Sequence, residues 1–283
     1  MSEQVIIIND LLAILNGFAA FDLAASWDNV GLMVGDPGKP LTGVIVALDP
    51  TVEVLDEAID LGVNTIVTHH PCIFSPIKAV RTDLPAGRFL EHALRNGLAV
   101  IGCHTNLDVV AGGVSDILAV QLGLVDVLPL SSGLTAEQNG GQVAQEKLGF
   151  GRIGRLVEPL SPEDMLNRFL AVLELPAVRV AGSLPLRIER VAVCGGSGSD
   201  LAETAFNLGA DLFLTGEVKH STARWAESIG FCIVDAGHYS TENLAVSGLV
   251  DLLRREFAVR SIALKIVATS RQGNPFRMYI RKV

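Results

Sequence analysis

The chain contains one strand–helix–strand pattern twice, and this internal repeat constrains its fold more than any other feature. Residues 44–68 can be laid without a gap on residues 191–215, so that a strand-like run, a helical run, a glycine and a second strand-like run follow in the same order. Val44, Gly62 and Thr68 are among the residues that meet identical partners. The repeat predicts two pseudo-symmetric halves that face each other across one site.

Apolar runs typical of buried strands alternate with helical patterns along the chain, which predicts an α/β fold with mostly parallel sheets. Polar and glycine-rich residues between the repeats predict an exposed connector. We therefore expect a first α/β half over residues 1–128, a connector over 129–147 and a second α/β half over 148–283. Ser161 followed by Pro162 is typical of a helix start. The predicted strands include 44–48, 65–68, 99–103, 191–194, 212–215 and 231–234.

Composition excludes several classes of protein. With 49% hydrophobic residues and a net charge of −9, the 283-residue chain predicts a globular protein that does not bind nucleic acid or anionic membranes unspecifically. Its first residues lack the basic start of a secretory signal, and no apolar run reaches transmembrane length. The four cysteines show no Cys-x-x-Cys spacing and are predicted to be reduced thiols. We expect a cytoplasmic protein without a membrane partner.

Histidines stand where predicted strands end. His69 and His70 directly follow the strand 65–68, and His104 follows the strand 99–103. In open parallel α/β sheets, ligands bind beyond the carboxyl ends of the strands, so these side chains should converge. If the strand continued regularly through His69 and His70, their side chains would point to opposite faces and would serve two neighbouring ions more easily than one.

A histidine followed four residues later by a carboxylate occurs once in each half. Aligning the third strands of the two repeats brings His104 onto His238 and Asp108 onto Glu242. Neutral imidazole and carboxylate are ligands of borderline and harder divalent ions, so the pattern predicts a metal site. Without a cysteine ligand, zinc, iron, manganese, cobalt and nickel all stay open. The predicted metal ligands are His69, His70, Asp108, His238 and Glu242.

The sequence leaves more than one role open for several further polar residues. His104 is a ligand, a group that orients the carboxylate four residues on, or a proton shuttle. Glu217 takes the place of His70 in the repeat, and is either a site carboxylate or a solvated residue in the first turn of a helix. We treat His104 and Glu217 as the candidate catalytic residues. We expect His220 to be exposed and His92 to have a structural role.

Other motifs near strand ends could bind a substrate. The glycine-rich run 195–200 could hold phosphate through its backbone N–H groups, although the same glycines suit a tight strand-to-helix turn. Trp27-Asp28-Asn29 either stacks on or binds a planar ligand, or forms a structural turn. Lys78, Arg81 and Lys219 either contact an anionic substrate or are ordinary surface charges.

Seven motifs together resemble the GTP cyclohydrolase 1 type 2 family, also called NIF-three-like dinuclear metal proteins, in order and over nearly the whole chain. The resemblance implies two similar α/β halves, a two-metal centre between them and a toroidal homohexamer. It places the metal ligands on the same five residues. Larger relatives carry an inserted domain where this chain has only the connector around residues 130–147. The motifs are Ser26-Trp-Asp-Asn-Val-Gly-Leu32, Thr68-His-His-Pro71 with Phe74-Ser-Pro-Ile-Lys78, His104-Thr-Asn-Leu-Asp108, Gly151-Arg-Ile-Gly154, Val191-Ala-Val-Cys-Gly-Gly-Ser-Gly-Ser199, Thr215-Gly-Glu217 and Gly237-His-Tyr-Ser-Thr-Glu242.

The residues and the resemblance favour a metal-dependent hydrolase with two divalent ions per subunit. Such a centre activates water for attack, and its substrate would be a small nucleotide-like or heterocyclic molecule. The alternative is a non-catalytic metal-binding scaffold or regulatory protein, assembled as a hexameric ring. Open coordination positions beside a cavity would favour the enzyme.

Overall fold

The computed structural model describes residues 5–131 and 148–279. None of the helices in these two stretches is long and apolar enough to cross a membrane. The strands are β1 (Gly31–Val34), β2 (Gly43–Ala47), β3 (Thr65–Thr68), β4 (Ala99–Gly102), β5 (Leu124–Pro129), β6 (Arg152–Leu160), β7 (Arg179–Ala181), β8 (Ile188–Ser197), β9 (Leu212–Gly216), β10 (Cys232–Asp235) and β11 (Lys265–Ala268). The α-helices are α1 (Ile8–Phe18), α2 (Val52–Leu61), α3 (Pro85–Arg95), α4 (Thr105–Val109), α5 (Val114–Gln121), α6 (Pro162–Val172), α7 (Ala202–Asn207), α8 (His220–Ile229), α9 (His238–Glu242) and α10 (Leu244–Val259).

The strands form two sheets, and the α/β class with mostly parallel strands is confirmed. One sheet has five strands in the order β1-β4-β3-β2-β11, and the other has six in the order β5-β6-β8-β9-β10-β7. At the centre of each sheet, three strands run parallel: β2, β3 and β4 in the first, and β8, β9 and β10 in the second. An antiparallel strand, β1 or β7, closes the corresponding edge of each sheet. These four strands have the same order and directions in the two sheets, which differ beyond β2 and β8.

The predicted repeat is visible in hydrogen bonds as well as in topology. Val44 pairs with Thr65, and Val191 pairs with Leu212 at the matching position of the second sheet. The repeat glycines that end the intervening helices, Gly62 and Gly209, both have positive φ, 68° and 78°. Glycine suits this left-handed conformation because it lacks a Cβ.

In the third strands, the alignment expected from the sequence is wrong by one residue. Thr65 pairs with Ala99, and Leu212 pairs with Cys232, so Cys232 rather than the next residue is the counterpart of Ala99. His104 caps α4, whereas Gly237 caps α9 and His238 is the first residue of that helix. The two His/carboxylate pairs are therefore offset by one position, because a short apolar run does not fix its register in sequence.

The halves exchange one helix and one strand each. The α5–β5 segment follows the first repeat but packs with the second sheet, where Leu118 and Leu122 share a buried cluster with Val191. The α10–β11 segment follows the second repeat but packs with the first sheet, where Leu253 is buried with Val44. The boundary predicted after residue 128 thus falls within β5. Of the predicted connector, residues 132–147 lie outside the described residues.

A buried arginine links the exchanged α5 helix to the second sheet. Arg152 on β6 donates through Nη1 to the carbonyls of Gly149 and Gly151, at 2.5 and 2.8 Å, and through Nη2 to the carbonyl of Val110 at 2.8 Å. Nη2 also lies 2.7 Å from Asp116 Oδ2 on α5. The second sheet is thereby tied to the end of α4 and to α5.

Removing this guanidinium should destabilise the fold. Arg152→Met leaves buried carbonyls and the Asp116 carboxylate without their partner, so we expect a loss of about 3 kcal/mol in the free energy of unfolding. Urea denaturation measures the loss. Arg155→Met is the matched control, because Arg155 lies on the same strand in an exposed ion pair with Asp126 and should cost under about 1 kcal/mol. Equal losses in the two variants would contradict the role given to Arg152.

A buried carboxylate anchors the chain beyond β11. Glu57 on α2 accepts hydrogen bonds from Thr269 Oγ1 at 2.5 Å and from the amide and hydroxyl of Ser270 at 3.0 and 2.7 Å. Burial disfavours ionisation, but these hydrogen bonds outweigh it and hold the pKa of Glu57 below its usual value. The anchored segment places Gln272, whose side-chain amide donates to Asp49 Oδ2 at 2.8 Å.

This anchor predicts a dependence of stability on pH. A carboxyl whose pKa is lower in the folded state stabilises the fold above its unfolded pKa, and that contribution is lost as the pH falls. We expect the free energy of unfolding to decrease below a pH of about 4.5, and to decrease less steeply in Glu57→Gln. Urea denaturation at successive pH values gives both slopes. Glu53→Gln, an exposed position on the same helix, should keep the wild-type slope; the same slope in Glu57→Gln would refute the anchor.

Candidate metal centre

Four histidines converge where parallel strands of the two sheets end. His69 and His70 follow β3, His104 follows β4 and His238 follows β10. The ring centroid of His70 lies 5.1 Å from that of His69, 5.6 Å from that of His104 and 5.2 Å from that of His238. The carboxyl edges of both sheets therefore contribute to one cluster, as parallel α/β topology favours.

The condition under which His69 and His70 would point to opposite faces is not met. Strand β3 ends at Thr68, so the alternation of side chains does not continue through the histidine pair. Thr68 Oγ1 donates to the carbonyl of His70 at 2.7 Å, which helps to turn the chain. Both imidazoles consequently face the same cluster.

Three of the histidines are held through Nδ1, which leaves Nε2 directed at the cluster. Nδ1 of His69 lies 2.9 Å from the carbonyl oxygen of Cys103. Nδ1 of His70 lies 2.6 Å from Asp49 Oδ1, and Nδ1 of His104 lies 2.9 Å from Asp28 Oδ1. An acceptor at Nδ1 fixes the tautomer with a free Nε2 lone pair, which is the usual arrangement of metal-binding histidines.

Glu242 is the carboxylate at the centre of the cluster. Its Oε2 lies 2.9 Å from His238 Nε2 and 3.1 Å from His70 Nε2, and these two nitrogens are 3.2 Å apart. Its Oε1 lies 3.7 Å from His69 Nε2, at the same distance from that nitrogen as Asp108 Oδ1. The ligand atoms form two groups of three, each within 4.8 Å: His69, His70 and His104 in one, and His70, His238 and Glu242 in the other.

The glycine-rich turn after β8 makes room for this carboxylate. Gly196 has a φ of 63°, and a Cβ placed on it would lie 2.0 Å from Glu242 Oε1. Its amide donates to Thr241 Oγ1 at 3.0 Å. The glycine-rich run 195–200 was open to two interpretations, phosphate binding and a tight turn. The contacts of Gly196 support the tight turn.

Electrostatics in the cluster favours positive charge. Burial opposes protonation of His70, but the neighbouring carboxylates of Asp49 and Glu242 raise its pKa to about 10. Burial likewise opposes ionisation of Glu242, yet the neighbouring imidazoles of His238, His69 and His70 hold its pKa well below the usual value. Both pKa shifts have the same cause, because buried carboxylates next to histidines stabilise a positive charge, whether it is a proton or a metal ion.

The donor set fits divalent metal ions. His69 Nε2 and Glu242 Oε2 are buried and have no hydrogen-bond partner of suitable geometry among the described residues. Buried polar atoms nearly always have a hydrogen-bond partner, so two unpaired atoms with lone pairs that face one cluster fit a metal ion. Cys103 contributes its carbonyl, which lies 2.9 Å from His69 Nδ1. Among the described residues, the two groups of candidate ligands contain histidine and glutamate and no cysteine.

The two candidate catalytic residues lie at the rim of the cluster. His104 belongs to the group with His69 and His70, and its side chain is partly exposed. Glu217 has a φ of 53°, an uncommon value for a non-glycine residue, and its exposed carboxylate lies 3.2 Å from His238 Nδ1. The structure thus brings the Glu217 carboxylate beside His238 Nδ1. Unlike the acceptors at Nδ1 of the other three histidines, it does not form a hydrogen bond there.

Two functional residues were missed as histidine partners. Asp28 is buried, and although burial disfavours its ionisation, hydrogen bonds from His104 and Thr105 lower its pKa. In the sequence Asp28 stands beside Trp27 without a sign of its partner, and Asp49 belongs to none of the motifs described above. A carboxylate two residues after strand β2, on the edge where the histidines lie, is the signal that would have pointed to Asp49.

Other candidate residues lie apart from the cluster. His220 is exposed, as expected. His92 pairs with Asp56 at 2.8 Å on neighbouring helices, which fits a structural role. Among the basic residues considered for substrate binding, Lys78 is exposed, and two are in surface ion pairs: Arg81 with Asp83 and Lys219 with Asp200.

Comparison with known proteins places this architecture in a family. The chain is 33% identical over 235 residues to a Clostridium perfringens protein called GTP cyclohydrolase 1 type 2 homolog, covering 83% of this chain and 86% of that one. A protein of the same description from Halalkalibacterium halodurans is 28% identical over 350 aligned positions, covering 90% and 94%. That alignment is longer than the chain itself, so this relative has residues that the chain lacks.

A solved structure shows the same fold. The crystal structure of a Bacillus cereus protein related to NIF3 superimposes with a TM-score of 0.90 at 26% identity, covering 98% of this chain and 100% of that one. The family model described as Duf34/NIF3 (NGG1p interacting factor 3) matches residues 6–275. Matched along nearly its whole length, with the fold of a NIF3-related protein, the chain belongs to the Duf34/NIF3 family.

Proposed function

We propose that the protein is a cytoplasmic metal-dependent hydrolase that holds two divalent ions and acts on a small nucleotide-like or heterocyclic substrate. The observation that carries this proposal is the crowding of His70 Nε2, His238 Nε2 and Glu242 Oε2 within 3.2 Å of one another. Three electron-pair donors at such distances are explained by a shared cation. The relatives named GTP cyclohydrolase 1 type 2 homolog support the reaction class.

Five residues would hold the two ions. His70 belongs to both groups of donor atoms, but Asp49 occupies its Nδ1, so its Nε2 would bind only one ion. Because this Nε2 lies within 3.2 Å of His238 Nε2 and Glu242 Oε2, His70 would hold one ion with these two residues. His69 and Asp108 would contribute to the other. Zinc, iron, manganese, cobalt and nickel all suit these ligands. Ions at such a site supply Lewis-acid activation of water and of the bond under attack.

Residues of the chain would move the protons. His104 keeps Nε2 free because Asp28 occupies its Nδ1, so it can accept a proton from an attacking water and is stabilised as an imidazolium by that carboxylate. Glu217, exposed beside His238, can relay a proton to solvent. Purine ring opening and phosphoester or amide cleavage all suit such a centre.

The position of His70 beside His238 and Glu242 predicts how metal content responds to mutation. We expect His70→Ala to fall from two ions per chain to about one or fewer, because the substitution removes a ligand from one position. Elemental analysis after purification and dialysis measures the content. His92→Ala provides the control, since His92 also pairs with an aspartate but lies on α3, away from the cluster. Equal metal content in wild type and His70→Ala would overturn the site assignment.

The hydrolase proposal is tested by screening metal-loaded protein against nucleotides, pterins and phosphoesters. We expect turnover of at least one compound, a loss of at least about 100-fold in Asp108→Ala, and abolition by a chelator with recovery on adding metal back. Asp56→Ala, which removes the surface partner of His92, should keep full activity. Metal-loaded wild type that turns over nothing in the panel would refute the enzyme and favour the alternative, a metal-binding scaffold or regulatory protein.

We also propose that the subunits form a homohexameric ring, as the family resemblance implies. Large apolar side chains are strongly exposed on the single chain, as expected of surfaces that an assembly covers. Light scattering should give six times the 30.0 kDa mass of the chain. A monomer at micromolar concentration would contradict the ring. The exposed side chains include Leu186, Val259, Phe276 and Tyr279.

A further inference from the structure

Two large aromatic side chains stand exposed beside the cluster. Trp27 is 60% exposed and Phe74 is 52% exposed, and their ring centroids are 5.9 Å apart at an interplanar angle of 49°. Both rings approach His104, at 6.2 and 6.4 Å between centroids, in edge-on orientation. The pair therefore forms an aromatic wall, defined here as Trp27 and Phe74, that adjoins the candidate metal centre through His104.

Hydrogen bonds hold the two loops that carry the aromatic wall. Asn29 Nδ2 donates to the carbonyl of Ile73 at 2.5 Å, which links the residues next to Trp27 and Phe74. Asp28 accepts from the amide of Thr105 at 3.0 Å as well as contacting His104. The position of the wall is thus set by the same carboxylate that orients a histidine of the cluster.

We propose that the aromatic wall is a stacking subsite for a planar heterocyclic ring, and that Trp27 is the residue that selects such substrates. The rings already contact each other at a separation typical of aromatic pairs, so a ligand ring would stack on the open face of Trp27 rather than between the two. Aromatic side chains bind nucleobases in this way with little dependence on sequence, because every base has a π face. The inference rests on the proposed hydrolase and names the part of the substrate that the wall holds.

Trp27 differs in exposure from the other tryptophan of the chain. Trp225, the second tryptophan of the chain, packs edge-on against Phe206 and Phe231 at 6.0 and 6.1 Å beside a buried cluster. Trp27 instead leaves most of its surface to solvent, which forgoes hydrophobic stabilisation. A side chain kept in that state by a buried carboxylate and an inter-loop hydrogen bond is prepared for a ligand.

The two tryptophans allow a direct test by fluorescence. In Trp225→Phe the emission comes from Trp27 alone, and in Trp27→Phe it comes from Trp225 alone. Guanosine monophosphate and adenosine monophosphate are titrated into metal-loaded protein, with ribose 5-phosphate as the non-aromatic probe. We expect both nucleotides to quench the emission of Trp27 in Trp225→Phe, and ribose 5-phosphate to leave it unchanged. In Trp27→Phe, neither the nucleotides nor ribose 5-phosphate should quench the emission of Trp225.

Calorimetric titration of the same nucleotides gives the size of the effect. Trp27→Leu should raise the dissociation constant about tenfold or more, and Phe74→Leu by less, while Val80→Ala, an exposed apolar position further along the same loop, should bind as wild type does. For any substrate found by screening, Trp27→Leu should raise KM more than it lowers kcat.

The outcomes separate this inference from the hydrolase proposal. Quenching by nucleotides without turnover would support the subsite and refute the hydrolase. Turnover with equal binding by wild type and Trp27→Leu would refute the subsite and leave the hydrolase standing. If no nucleotide quenches Trp27 and Trp27→Leu changes the mass of the assembly, the wall is an interface between copies of the chain and the inference fails.

Discussion

The candidate centre requires two sheets to be held with their carboxyl edges together, because each sheet supplies part of it. His69 and His70 follow a strand of the first sheet, whereas His238 and Glu242 follow a strand of the second. The exchange of α5–β5 for α10–β11 meets this requirement, since the core of each sheet includes side chains from the other half. Arg152 reinforces the exchange by binding carbonyls from both parts of the chain. The spacing of the ligand atoms thus depends on packing far from them.

Much of this architecture follows from patterns that are local in sequence. The central strands are short apolar runs, and the structure places β2, β3, β4, β8, β9 and β10 within a few residues of their predicted bounds. Gly62 and Gly209 end their helices in the same conformation, and Ser161 accepts a hydrogen bond from the amide of Asp164 as an N-cap should. The convergence of histidines followed from a rule of parallel sheets and needed no knowledge of distances.

What the sequence did not reveal depends on contacts between distant residues. Asp28 reaches His104 across 76 positions, and Asp49 reaches His70 across 21, so no spacing signals either pair. The exchanged strands β5 and β11 carry no mark of the sheet that they join. A one-residue shift between the third strands is equally invisible, because hydrogen-bond register is decided by the neighbouring strand. The sequence predicts which groups are present more readily than how they are oriented.

Gln272 connects the segment beyond β11 with the centre. Its amide contacts Asp49, which contacts His70, while Glu57 holds the residues just before it. Linkage makes such a chain of contacts reciprocal: whatever stabilises one orientation of His70 also stabilises the docked segment, by the same free energy. The orientation of His70 and the position of the segment beyond β11 are therefore coupled through one carboxylate, that of Asp49.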